Sequence, residues 1–88
     1  MQRQKCDSRL LHSVGYDSQF QILEVQFLPK KGETDGAVYR YFKVPPDVAG
    51  TMLTDKSIGG SFLREIKGRY EYRKVEPDEA TETIPKDF

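Results

Sequence analysis

The amino-acid sequence predicts an α+β domain: a small antiparallel sheet of three to four strands with two short helices packed on one side. Three observations carry that expectation. Leu23, Val25 and Phe27 alternate with Glu24 and Gln26, the two-residue period of a strand with one buried face. Residues 37–44 are rich in aromatic and β-branched side chains, and Pro45-Pro46 stops the run because proline cannot donate to a ladder. Two apolar stripes at helical spacing then follow as a block. Helices segregated from strands in this way favour packing on one side of an antiparallel sheet.

Taken in order, the first seven residues are polar and are expected to fray. Residues 8–14 suit a short strand, closed by the turn-forming series Gly15-Tyr16-Asp17-Ser18. The alternating strand 20–27 comes next, then a polar loop over 29–36 whose two glycines can join antiparallel neighbours. After the strand 37–44, Pro46 and Asp47 fit the first turn of a helix, where a missing N–H costs nothing and a carboxylate meets the positive dipole end. Val48, Met52 and Leu53 form its stripe, and it ends near Asp55. Ser57 is the N-cap of a second helix with Phe62, Leu63 and Ile66 on its buried face and Gly68 at its C′ position. The closing strand is residues 69–75, which alternate aromatic with charged side chains.

Eighty-eight residues hold one domain. At that size only about 60% of the unfolded surface is buried, so a few large side chains must supply the core. Five Phe and five Tyr can do so. No apolar run is long enough to span a bilayer, and the N-terminus lacks the apolar stretch of a secretory signal. Cys6 is the one cysteine, so no internal disulfide or multi-cysteine metal site is possible, and a reducing, cytoplasmic setting is expected. Net charge is zero but uneven. Residues 1–75 carry thirteen basic and nine acidic side chains, and residues 76–88 carry one and five. The expected organisation is therefore a mildly basic domain over 8–75 followed by an acidic, disordered tail over 76–88. Such a tail is a solubilising extension or an intramolecular screen for a basic surface.

Several pieces recur together in a known order. They are Val14-Gly15-Tyr16-Asp17, Leu23-x-Val25-x-Phe27, Tyr39-x-Tyr41-x-x-Val44-Pro45, Ser57-x-Gly59 with Phe62 and Ile66, and Tyr70-x-Tyr72. This series resembles the KTSC domain, a short module named after the C-terminal extension of some lysyl-tRNA synthetases and also occurring as small stand-alone proteins in bacteria and their phages. Tyr39 and Tyr41 match its central Tyr-x-Tyr. The resemblance covers residues 8–75 and implies RNA or tRNA as a partner, through its association with a tRNA synthetase.

Catalytic chemistry is not expected. Nucleophilic catalysis needs a nucleophile, a base and an orienting group, and the candidates reduce to Cys6 and His12 near one end. No His/Cys/carboxylate spacing suits zinc, no carboxylates pair for acid–base work, and no cofactor is implied. Gly59-Gly60 before a helix resembles a phosphate cradle, but no lysine follows as a Walker A loop requires, and a flexible turn between two helices is the favoured reading of the pair.

The remaining candidate is a binding surface. Tyr39, Tyr41 and Lys43 share one strand face; Val38, Arg40, Phe42 and Val44 share the other. Either Arg40 reaches an edge or a bulge after Tyr41 shifts the phase. The two tyrosines are a platform for stacking unpaired bases, or they are core residues. Arg64, Lys67, Arg69, Arg73 and Lys74 form the densest basic cluster and could meet phosphates. The expected function is a small non-catalytic module that binds RNA or single-stranded nucleic acid. The alternative is a protein-interaction module acting through a sheet edge or an aromatic patch.

Overall fold

The computed structural model describes residues 3–76 and the backbone of residues 83–84. It contains β1 (Arg3–Lys5), β2 (Leu11–Asp17), β3 (Ile22–Phe27), β4 (Val38–Tyr41), α1 (Pro46–Thr54), α2 (Ile58–Glu65), β5 (Tyr72–Val75) and β6 (Thr83–Ile84). The strands form one sheet in the order β5-β4-β3-β2-β1-β6, antiparallel throughout except for the parallel β1–β6 pair. The α+β class holds, with six strands where three to four were expected. The acidic segment 76–88 falls outside the described residues except for Glu76 and the backbone of Thr83–Ile84.

Three local outcomes differ from the sequence reading. The N-terminal residues do not all fray, because Gln4 and Lys5 pair with Val14 and Ser13 of β2. Gly15, Tyr16 and Asp17 lie within β2, opposite Glu24, Leu23 and Ile22, so the turn moves to residues 18–21. There the Asp17 carboxylate accepts from the N–H groups of Gln19 (2.9 Å) and Phe20 (3.2 Å), an Asx-type turn, and Gln21 takes a left-handed φ of 55°. A bulge between Leu11 and Ser13 sets two β2 residues against one on β3. It lets Leu11 face the core while Ser13 faces away.

The helices follow the capping logic of their sequences. Pro46 opens α1 with Asp47 in its first turn, and Ala49 and Met52 point inward. The Ser57 hydroxyl accepts from the Gly60 N–H at 3.2 Å to cap α2. Gly68 adopts φ +79° in the turn that follows α2, a conformation glycine takes without steric cost. Phe62 and Ile66 enter the core with Leu11, Val14, Leu23, Val25, Tyr41, Val44, Ala49 and Met52. Leu53 and Leu63, expected on the buried stripes, are 37% and 49% exposed because they sit at the margins of these short helices.

The opposite sheet face carries a buried polar network. The Glu24 side chain, 0% exposed, receives Arg3 Nη1 at 2.5 Å on one carboxylate oxygen and Arg40 Nε at 2.7 Å on the other. Arg3 also donates to Ser13 Oγ (3.0 Å) and Gln26 Oε1 (3.1 Å), and Gln26 donates to the Gly36 carbonyl (3.2 Å). One carboxylate thus ties β1, β3 and β4 together, with β2 joined through Ser13. Removing one partner of a buried ion pair leaves an uncompensated charge and costs about 3–5 kcal/mol. Glu24→Ala is therefore expected to lower the melting temperature by roughly 10 °C or more, measured by thermal circular dichroism.

Two glycines in the helices should respond in opposite senses. A Cβ on Gly59 would lie 2.8 Å from Ser8 Oγ and 3.3 Å from Leu10 Cβ, whereas one on Gly50 meets nothing within 4 Å. Ser8 Oγ cannot easily yield, since it accepts from the N–H groups of Leu10 (3.0 Å) and Leu11 (3.1 Å). Gly50→Ala should stabilise the domain by about 0.5–1 kcal/mol through helix propensity. Gly59→Ala should destabilise it by about 1–3 kcal/mol through overpacking, read from denaturant midpoints.

Burial pushes the Tyr41 phenol up to about 12 from its ordinary 10.0, with Tyr72 and Tyr39 adding to the effect. Between those values the unfolded chain has given up this proton while the folded chain keeps it. The stabilisation is present below pH ~10 and is lost as pH rises towards ~12. Melting temperatures across this range should fall less steeply in Tyr41→Phe than in the parent protein.

Candidate nucleic-acid interface

Strand register decides which predicted residues meet. The Phe42 N–H donates to the Glu71 carbonyl at 2.9 Å, so Phe42 and Glu71 are a hydrogen-bonded antiparallel pair. Pairs alternate along such a ladder, which makes Arg40–Arg73 hydrogen-bonded, and Tyr41–Tyr72 and Tyr39–Lys74 non-hydrogen-bonded. Side chains come closest at non-hydrogen-bonded positions, and the backbone groups of Tyr72 and Lys74 point away from β4 towards the sheet edge.

At these close positions the aromatic rings form a closed circuit. Phe27 contacts Tyr39 at 5.5 Å between centroids, Tyr39 contacts Tyr72 at 5.5 Å, and Tyr72 contacts Tyr41 at 5.4 Å. Tyr41 then contacts Phe62 at 5.5 Å, and Phe62 returns to Phe27 at 5.6 Å. Four of the five contacts are edge-to-face and the Tyr41–Tyr72 pair is tilted, geometries that match ring edge to ring face. The circuit spans β3, β4, β5 and α2. Its inner members are core: Phe62 is fully buried, Tyr41 is 4% exposed and Tyr39 is half-buried against the core cluster. Its outer member is Tyr72, 62% exposed on the edge strand.

The Tyr-x-Tyr strand therefore faces inward under the helices, and the exposed ring of the circuit is Tyr72. In the sequence Tyr72 stood out only as part of an alternating closing segment and of the Tyr70-x-Tyr72 piece of the family series. Its exposure follows from the edge position of β5, which sequence alone does not give.

The phase question around Arg40 is resolved by the backbone. β4 ends at Tyr41, and Lys43 adopts φ +58°. That left-handed residue interrupts the alternation, so Lys43 is exposed while Val44 is fully buried on the Tyr41 side. The Val44 N–H donates to Gln21 O at 2.9 Å, and the Tyr16 hydroxyl donates to Val44 O at 2.5 Å. Burial, followed by the nearby Asp17 and Asp47 carboxylates, raises the Tyr16 pKa. Arg40 points to the far face and its Glu24 partner.

The basic cluster is divided by the fold. Lys74 shares the Tyr72 face and is cross-strand from Tyr39. Lys67 and Arg69 are exposed in the turn that carries the chain from α2 to β5. Arg73 alternates to the opposite face, across from Arg40. The Arg64 guanidinium lies back over the start of α2, 3.1 Å from Asp55 Oδ2. Three cations thus accompany the exposed ring along the chain, and two are directed elsewhere.

The Gly59-Gly60 pair lies within the first turn of α2. Gly59 is buried against Ser8 and Leu10, and the Gly60 N–H is taken by Ser57. Close helix packing accounts for the first glycine and capping engages the second. The Cys6 thiol donates to Leu11 O at 3.4 Å, and the Cys6 N–H donates to His12 O at 3.0 Å. Among the described residues no group of three or more His, Cys, Asp or Glu could hold a metal ion, and no helix is long and apolar enough to cross a membrane.

Comparison with known proteins gives a consistent result. Residues 7–72 match the KTSC domain. A protein of Stutzerimonas stutzeri is 39% identical over 77 residues, covering 86% of this chain and 100% of the relative. A lysine–tRNA ligase of Nostoc punctiforme is 30% identical over 71 residues, which is 81% of this chain but 12% of the ligase. The crystal structure of a KTSC domain protein from Yersinia pestis superimposes with a TM-score of 0.72 at 32% identity, covering 84% of this chain and 96% of that one. The chain, with its Tyr-x-Tyr strand packed beneath the helices, belongs to the KTSC domain family.

Proposed function

We propose that this KTSC domain is a non-catalytic module that binds RNA or single-stranded nucleic acid along its β5 edge. The observation that carries this reading is Tyr72, an aromatic ring 62% exposed and held by Tyr39 and Tyr41. A ring fixed in this way loses little rotamer freedom when a ligand meets it. Lys74 stands on the same face, and Lys67 and Arg69 precede it on the connecting turn, giving phosphate contacts beside a stacking surface. The similarity to part of a lysine–tRNA ligase supports RNA as the polyanion.

A protein-interaction reading has one specific observation behind it. The outward N–H and C=O groups of Tyr72 and Lys74 could pair with an added strand. Salt separates the two. Three phosphate contacts predict that the logarithm of affinity for single-stranded RNA falls against that of salt with slope about −2. Lys74→Ala and Arg69→Ala should each reduce the slope by about 0.7, measured by fluorescence anisotropy. Affinity independent of salt, or unchanged in both variants, would remove the nucleic-acid reading.

A further inference from the structure

We infer that the recognition element is one unpaired nucleotide, its base stacked on the outward side of Tyr72 and its neighbouring phosphates met by Lys74, Lys67 and Arg69. The inference rests on the nucleic-acid reading of this edge and specifies what that edge selects. The aromatic circuit has five rings and a single well-exposed member: Phe27 and Tyr39 are half-buried, Tyr41 and Phe62 are buried, and Tyr72 is open to solvent. Tyr39 and Tyr41 both meet this ring from β4, the single neighbour of the edge strand β5, and the ring stays 62% exposed. One aromatic surface remains, sufficient for one base.

Base pairing decides which nucleotide can reach it. Inside a duplex both faces of each base are covered by stacked neighbours, the bare outer face of a terminal pair is held in line with the helix by its pairing, and Tyr72 cannot swing out as a wedge without giving up two ring contacts. A base at an overhang, a loop or a bulge presents a bare face and can settle on the phenol ring. Lys74 lies two residues from Tyr72 on the same strand face, and Lys67 and Arg69 stand exposed on the preceding turn, cations suited to the phosphates beside that nucleotide. Arg40, Arg73 and the Gln26 carboxamide, all able to read base edges bidentately, lie on the far face, and Arg69 is assigned to a phosphate. Selection is therefore by the unpaired state and by stacking strength, with purines favoured over pyrimidines.

The test uses the full chain and four labelled RNA probes at low salt: a single strand, a blunt-ended duplex of that sequence, the duplex with one overhanging adenosine, and the duplex with an abasic overhang. The single strand and the adenosine overhang should bind more tightly than the blunt duplex by about 5- to 150-fold, the value of one base–aromatic stack. The abasic overhang should match the blunt duplex. Tyr72→Ala should abolish the difference among probes, and Tyr72→Phe should retain it. An overhanging 2-aminopurine should lose fluorescence on binding the parent protein but not Tyr72→Ala. Equal affinity for all four probes, with normal salt dependence, would overturn the single-nucleotide inference while leaving nucleic-acid binding intact. Absence of salt-dependent binding to any probe would remove both.

Discussion

The carboxylate of Glu24 is the constraint on which the sheet depends. It lies with no exposed surface between two guanidinium groups, one from the N-terminal strand and one from the neighbouring strand. An ionised carboxylate at such a depth is tolerable only when both oxygens are engaged, so each strand must sit where its arginine can reach. A one-residue slip of β3 would turn Glu24 into the apolar layer and lift Leu23 and Val25 out of it. Hydrophobic burial on one face and charge satisfaction on the other therefore demand the same register.

That register also builds the aromatic side. With Glu24 opposite Arg40, Leu23 falls opposite Tyr41 and Val25 opposite Tyr39, which points both tyrosines at the helices. The β4–β5 pairing then places Tyr72 at a close position against Tyr41. Phe62 completes the layer from α2, where the Ser57 cap and the close approach of Gly59 to Leu10 fix the height of the helix above the sheet. The exposed ring of Tyr72 is thus aimed by interactions that begin on the opposite face of the molecule.

Much of this frame was legible in the sequence, and the exceptions share a cause. The period-two pattern of residues 22–27, the proline stop after β4 and the Ser57 cap are local signals, and each appears as expected. The N-terminal strand was not legible, because Arg3, Gln4 and Lys5 lack apolar alternation. Their placement rests on an ion pair between residues 21 positions apart. Likewise, Gly15 and Tyr16 read as a turn until pairing with β3 extends the strand through them. The face of Arg40 was ambiguous because its partner lies on another strand and because Lys43, not a glycine, takes the left-handed conformation that resets the alternation. The basic residues formed one cluster in sequence, and strand alternation together with the Arg64–Asp55 pair divided it.

The inward orientation of the Tyr-x-Tyr strand separates what holds the domain together from what it displays. Changing a buried ring disturbs the whole packing layer, whereas changing an exposed rim residue such as Lys74 or Lys67 moves stability by only about 0.5 kcal/mol in either direction. The frame can therefore be kept while its surface is rewritten. A module of this kind can travel, alone or as a small part of a much larger chain, and present a different surface in each setting without relearning how to fold.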